Sequence, residues 1–341
     1  MRDIANLFAG IFLPATLLCC GCIHTYPDAE AIDPTMIEVE LAVNPRLNLQ
    51  PLEINASEGN KEGRSGISGW ALWRTIVEVR HPSGESKRCL TTLFRNNASS
   101  DPLTVRLPWK LAPQCYELSI WSDCVDSSDS TEVYFKAADL RNVTIMPYTP
   151  DMNNVLSIPP LLCASATETL DLRENVGKQN AKINVPVEAA APFGIIKIVA
   201  DDTDLFTGHH PEVAYNPKAY SVELKFTSPY PDAFNVATGE PSRYLTSATF
   251  SSPLFIPDAS ASTLISVPVF PSSGGENLTA DVTIYNSARS IISRTKDVAI
   301  PVCRDRTIVV RGGFLSNFFA NQIKVENEWE DEIIIDLSED K

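Results

Sequence analysis

The chain has 341 residues, 44% of them hydrophobic, 25 prolines and a formal net charge of −15. That length suits two domains of ordinary size, the proline content argues against long helices, and the acidic balance repels phosphate backbones, so nucleic acid is not an expected partner. An all-β class is the reading that remains.

The chain opens with Arg2 and a mostly apolar run from Ile4 to Leu18, followed by Cys19-Cys20-Gly21-Cys22. This is the layout of an export signal. The apolar run falls short of the ~20 residues that cross a bilayer as a helix, and Pro14 interrupts it. Lipoprotein signal peptidases need a small residue before the modified cysteine, and Gly21 supplies it for Cys22. Cys22 is therefore the expected lipidation site and residues 1–21 the signal peptide. Cys20, with Leu17 three residues ahead of it but Cys19 just before it, is the competing register. Residues 22–35 carry Pro27, Pro34, Asp28, Glu30 and Asp33 without strand periodicity and read as a tether.

Strand signals begin at Ile37, where Ile37, Val39, Leu41 and Val43 alternate with more polar neighbours. Short apolar or β-branched runs follow at Trp73–Arg80, Leu90–Phe94, Leu103–Leu107, Gln114–Trp121, Glu132–Phe135 and Val143–Ile145, mostly separated by turn-forming residues. Ala164–Arg173 is expected to form a brief helical turn. Ile183, Val185 and Val187 resume alternation with Pro186 on the other phase, which suits an edge strand. A boundary near Ala190 divides an N-terminal sandwich, 36–190, from a C-terminal one, 191–341.

In the second half the expected strands are Phe193–Val199, Tyr220–Phe226, Thr246–Ser251, Leu264–Phe270, Ala280–Tyr285, Ser290–Ser293, Thr307–Arg311, Ile323–Val325 and Ile333–Leu337, with a polar loop over Asp201–Pro217. Strands this short bury one face each and need a second sheet to cover it, so each half reads as a β-sandwich. No sequence repeat marks the halves as a duplication.

Candidate chemistry is sparse. His209-His210 behind Asp201, Asp202 and Asp204 invites a metal, but adjacent side chains in an extended chain point apart, and a solvated loop is the expectation. Asp123, Asp126 and Asp129 recur every third residue as oxygen donors for calcium, yet without the glycine and glutamate of an EF-hand loop they read as a turn. No nucleophile elbow, zinc-protease helix or phosphate loop is present, so an enzyme, a metal and a cofactor are not expected. Trp70 and Trp73, beside a glycine-rich loop, are the candidates for stacking on a sugar ring. Cys89, Cys115, Cys124, Cys163 and Cys303 have no framework spacing and read as free thiols.

Three stretches together carry a resemblance. They are Cys22-Ile23-His24-Thr25-Tyr26-Pro27, Val105–Asp126 with its Leu-Pro-Trp turn and Tyr116-to-Trp121 spacing, and Pro301–Ser316 with Arg311-Gly312-Gly313-Phe314-Leu315. The chain resembles the fimbrillin-like and minor fimbrial anchor lipoproteins of Bacteroidota-type bacteria, many of which have no assigned function. The resemblance implies two tandem transthyretin-like (Ig-like) β-sandwiches on a lipid anchor in the outer membrane, facing the cell surface. It also implies fimbrial subunits or other surface proteins as partners, met by β-augmentation at unpaired edges. Val185–Val187 and Ile333–Leu337 are the edges expected to serve. Thr25 and Ala189-Ala190-Ala191-Pro192 depart from the pattern, and no arginine cleavage site releases an N-terminal strand. An anchor, tip or free-standing lipoprotein is therefore expected over a shaft subunit, with glycan binding as the alternative.

Overall fold

The structure is a computed structural model, and it describes residues 35–46, 70–96, 101–125, 135–145, 163–216, 218–254, 256, 262–316 and 323–327. The first half supplies β1 (Glu38–Arg46), β2 (Trp70–Arg80), β3 (Ser86–Asn96), β4 (Leu103–Arg106), β5 (Cys115–Val125), β6 (Phe135–Lys136), β7 (Val143–Ile145), β8 (Cys163–Asp171) and β9 (Lys182–Ala190). The second supplies β10 (Gly194–Ala200), β11 (Tyr220–Phe226), β12 (Tyr230–Asn235), β13 (Glu240–Leu245), β14 (Thr249–Pro253), β15 (Ser262–Val269), β16 (Glu276–Asn286), β17 (Ile291–Val302), β18 (Thr307–Gly312) and β19 (Ile323–Asn327). One short α-helix, α1 (Thr203–His209), stands among the described residues. The fold is all-β.

Period-2 alternation decides which face each strand buries. In the first half β9-β1-β4 and β3-β2-β5-β8 form one continuous sheet, joined where Ser165 of β8 pairs with Ala190 of β9. Val39, Leu41, Val105 and Val187 from one part and Val77, Val79, Leu118 and Ile120 from the other share a single buried core, so the sheet folds over on itself as a sandwich. In the second half, sheets β18-β10-β15 and β14-β11-β16-β17 enclose Ile196, Ile198, Val267 and Val310 against Val222, Leu224, Val282 and Ile300.

The two sandwiches have the same topology. β1 pairs in parallel with β9 and antiparallel with β4, and β10 pairs in parallel with β18 and antiparallel with β15. The antiparallel series β3-β2-β5-β8 matches β14-β11-β16-β17 strand for strand. The duplication is invisible as sequence similarity because each position asks only for an apolar residue of fitting size.

Strands outside this repeat build a third layer. β6 and β7 lie between β5 and β8 in the chain, β12 and β13 between β11 and β14, and the four form one sheet in the order β13-β12-β7-β6. Its central join crosses the halves, pairing Val143 with Phe234 and Thr144 with Ala233. Beneath it Trp121, Phe135, Phe193, Phe234 and Phe270 are each at most 1% exposed. Phe135 packs edge-on to Trp121 at 5.3 Å between centroids, and Phe234 stacks on Phe270 at 5.5 Å. Ala191 and Phe193, in the link from β9 to β10, are buried in the same cluster. Where that link enters β10, a Cβ on Gly194 would lie 2.4 Å from the Cys303 carbonyl oxygen, so only glycine fits.

Three expectations need correction. Ala164–Arg173 is not a helical turn but lies largely in β8, antiparallel to β5 from Cys163 to Asp171, with a 3-10 turn only at Arg173–Asn175. Its buried Ala164, Ala166 and Leu170 face the core at strand spacing, and tertiary pairing overrides the helical preference of alanine and glutamate. Asp201–Pro217 is not a plain loop, because Phe206 and Val213 enter the core and hold α1 and a 3-10 turn over Pro211–Ala214 against it. The hairpin β12–β13 went unread, since Pro231, Asp232 and Pro241 mask strand periodicity and two bulges break its register.

Phe135→Ala is expected to cost about 3–5 kcal/mol, the usual range for a fully buried aromatic. Because its cluster takes side chains from both halves, the variant should also split one denaturant transition, followed by far-UV circular dichroism, into two. A single transition at an unchanged midpoint would contradict a shared core.

Candidate functional site

An unfilled sheet edge is the most distinctive feature that can act on a partner. β9 pairs with β1 over all nine residues, from Glu38↔Lys182 to Arg46↔Ala190. On its other side, among the described residues, it pairs only through Ala190 with Ser165. Its counterpart β18 is covered on that side by β19, with Ile308 opposite Asn327 and Gly312 opposite Ile323. Among the described residues, the same strand of the same repeat is thus capped along its length in one half and paired at a single residue in the other.

Pro186 orients the donors of β9. A proline keeps the parallel ladder to β1 intact only at a position that does not donate to β1. Amide direction alternates along a strand, so Asn184 and Glu188 also point their N–H groups away from β1. Alternate side chains Lys182, Asn184, Pro186 and Glu188 are exposed, whereas Val187 and Ala189 are buried. The outer face is tied by Glu38 to Lys182 at 3.2 Å, Glu40 to Arg106 at 3.3 Å and Asn44 to Glu188 at 3.2 Å, which holds β9, β1 and β4 in register.

The other candidates separate clearly. Cys22 and Ile333–Leu337 lie outside the described residues, as do Asp126, Asp129 and the side chain of Trp70. Trp73 is 1% exposed, at a core-facing position of β2 with Val77 and Val79, and offers no ring face to a sugar. That removes it as a stacking platform. Asp123 is no turn residue: it sits in β5, 1% exposed, and accepts two hydrogen bonds from Arg74, at 2.8 and 2.6 Å, across the β2–β5 ladder. A buried carboxylate already paired this way is unavailable to calcium, and deleting Arg74 would strand it at a cost of about 3–5 kcal/mol. Cys89, Cys124 and Cys163 are buried free thiols, and Cys115 and Cys303 are half-buried and also free. Burial raises the Cys89, Cys163 and Cys303 thiols above their ordinary range.

His210 belongs to a structural cluster. The Tyr220 hydroxyl donates to Glu212 Oε1 at 2.6 Å and lies 2.7 Å from His210 Nδ1. A phenol has one proton, so once it goes to the carboxylate, His210 must donate from Nδ1 to the phenol oxygen. Phe206 packs on His210 at 4.7 Å between centroids and on Tyr220 at 5.3 Å. The adjacent pair His209-His210 therefore splits, with His210 clamping α1 to β11. No group of three or more histidine, cysteine, aspartate or glutamate side chains suited to a metal occurs among the described residues. Asp202 does similar work: its buried carboxylate accepts from the Leu315 amide at 3.1 Å and from the Ser316 amide at 2.6 Å, fixing the chain as it leaves β18. Sequence reasoning missed this clamp, because an aspartate after a strand carries no sign of partners more than a hundred residues away.

A family model described as "Family of unknown function (DUF6562)" matches residues 34–340. No curated protein matches the chain. Among solved structures, the chain is similar to a protein of Bacteroides thetaiotaomicron assigned provisionally as polysaccharide-binding, at 10% identity and a TM-score of 0.44, covering 85% of this chain and 95% of that one. It is similar to a provisionally assigned adhesin of Bacteroides ovatus at 12% identity and 0.43, covering 85% and 92%. It is also similar to the fimbrial anchor protein Mfa2 of Porphyromonas gingivalis at 10% and 0.41, covering 88% and 99%.

Burial, then the bonded and charged Glu212, push the Tyr220 phenol up from 10.0 to about 12. A pKa raised on folding means the protonated phenol stabilises the fold, fully so below the unfolded value and no longer once pH passes the folded one. Tyr220→Phe should therefore melt below wild type at neutral pH, and the gap should narrow as pH rises from about 10 to about 12. A gap constant across that window would mean that the phenol proton is not shared with Glu212.

Proposed function

The chain belongs to this family of unknown function, and from that premise we propose that it is a non-enzymatic surface lipoprotein, related in role to fimbrial anchor or tip components. It holds to the outer membrane through a lipid on Cys22 and meets protein partners by β-augmentation. The observation that carries this reading is the side of β9 that, among the described residues, pairs only at Ala190, beside its capped counterpart β18. An extended segment laid antiparallel on β9 would repeat what β19 does for β18, with backbone hydrogen bonds supplying affinity and side-chain alternation supplying selectivity. Pro186 withholds one donor from that edge, which leaves Asn184 as the outward amide a partner would use.

The arrangement proposed along the chain is a signal over residues 1–21, a tether over 22–35 and two sandwiches divided near Ala190. The tether would leave the edge of the first sandwich clear of the bilayer, so that a partner approaches it laterally. An adhesion-related role follows from such an edge without any catalytic residue.

Two variants test this. Asn184→Pro removes an outward donor exactly as Pro186 already does, so it should keep the wild-type melting temperature while reducing recovery of partner surface proteins crosslinked on intact cells. Unchanged crosslinking in a folded variant would exclude β9 as the contact. Cys22→Ala should move the protein from the membrane fraction to the soluble exported fraction, and a variant still carrying lipid would transfer the anchor to Cys20.

A further inference from the structure

The two repeats differ again at one position of the strand next to β9. β8 and β9 meet at the pair Ser165 and Ala190, and beyond that corner no further pair between them occurs among the described residues. They part because they belong to the two opposed layers of the first sandwich, so the flank between them is bordered by the core-facing side of each strand. On β9 that side carries Ile183 and Val185, half-buried and packed against the core. On β8 it carries the buried Ala164, Ala166 and Leu170, and between the last two it carries Glu168, which is exposed.

An acid on the core-facing side of this strand is not a requirement of the fold. Val79 is the last core-facing residue of β2, and the ladder runs from it through Leu118 of β5 to Glu168. Phe226 is the last core-facing residue of β11, and the matching ladder runs through Ala280 of β16 to Val298 of β17, which is 1% exposed. The repeat whose β18 is covered by β19 therefore has a buried valine where the first repeat has a carboxylate.

That carboxylate is unmatched. Among the described residues Glu168 joins no hydrogen bond and no ion pair. The bordering strands supply no cation for it: β8 contains no lysine or arginine, Lys182 of β9 lies on the outer face at 3.2 Å from Glu38, and Arg173, past the end of β8, is bound to Asp171 at 2.5 Å. A strand laid along β9 changes these surroundings. Its inward side chains would cover Ile183 and Val185 and close the flank over Glu168, and a carboxylate shut away from water without a partner is strongly unfavourable. An arginine or lysine among those inward residues removes the penalty, since its aliphatic stem packs on apolar side chains while its charged end reaches the acid.

We propose that the segment received by β9 is an extended stretch of another polypeptide whose inward-facing residues are apolar except for one arginine or lysine, and that Glu168 is the residue that selects it. This inference rests on the reading of β9 as a docking edge and adds the chemistry of what docks. Asn184 supplies a backbone donor that any strand can use, and Glu168 discriminates between strands. A wholly apolar segment would bury the carboxylate unpaired, and an acidic one would set like charges together.

The test uses the full-length chain in detergent and three short fluorescent peptides in which serine or threonine alternates with valine or isoleucine. They are alike except at one central position of the apolar face, which is arginine, valine or glutamate. Anisotropy should show saturable binding of the arginine peptide, at least about tenfold tighter than either of the others. In Glu168→Gln this preference should vanish, and in Glu168→Arg the glutamate peptide should become the tightest. Both variants replace an exposed side chain and should melt with wild type, which circular dichroism checks. Asn184→Pro should weaken every peptide alike. A preference for arginine that survives Glu168→Gln, no such preference in wild type, or no saturable binding overturns the inference. Should the peptides bind without preference and still be weakened by Asn184→Pro, β9 stands as the docking edge and only the selecting role of Glu168 is removed. Should Asn184→Pro weaken none of them, the reading of β9 falls and this inference falls with it.

Discussion

The two sandwiches are joined by three residues, 191–193, and two of these, Ala191 and Phe193, are buried in the aromatic layer between the halves. That constraint governs the rest. A link so short and so buried cannot act as a free hinge, so β9 is held at Ala190 against β8. The aromatic layer also recruits strands from both halves into one sheet, and Arg304 reinforces it, packing 5.3 Å over Phe234 while donating to the Pro271 carbonyl at 2.9 Å. The site and the scaffold are therefore two aspects of one arrangement.

Two buried carboxylates, Asp123 and Asp281, are each matched by an arginine. Arg74 and Asp123 lie on the face of the first sandwich that also carries Ile76 and Trp121 of the aromatic layer, and their two-bond pairing keeps charge out of a dry interface. Asp281, buried in β16, accepts from Arg294 at 2.6 Å and from the Asp297 amide at 3.1 Å. Burial pushes its carboxyl up, but these bonds and the charges of Arg294 and Lys296 outweigh that and hold it below its ordinary value. Such pairs add little net stability, but they specify one register, because a slipped strand would leave a buried charge unmatched.

Much of the scaffold could be read from residues alone. Tyr220–Phe226 alternates so cleanly that the expected strand and β11 coincide, and Pro186 falls in β9 at a position that does not donate to β1. What could not be read depends on distant partners. β12 and β13 are too irregular to show a period, and β12 is held as a strand by pairing with β13 on one side and, across the halves, with β7 on the other. Trp73 looked accessible beside a glycine-rich loop, yet the parity of β2 turns it inward. The duplication was hidden because topology, not residue identity, is what repeats. The edge at β3 was legible as a strand but not as an exposed one, since Leu90 looks like a core residue until the partner sheet is located.

The central claim is that, among the described residues, no strand runs along β9 where β19 runs along β18. Residue-resolved amide hydrogen exchange on the isolated protein tests it most directly, because a backbone N–H without a ladder partner exchanges far faster than a paired one. The account predicts rapid exchange at Asn184, slow exchange at Val185 and Val187 that face β1, and protection along Ile308–Arg311 beneath β19. Protection at Asn184 equal to that of Val185 would mean the edge is already filled, and would contradict the account.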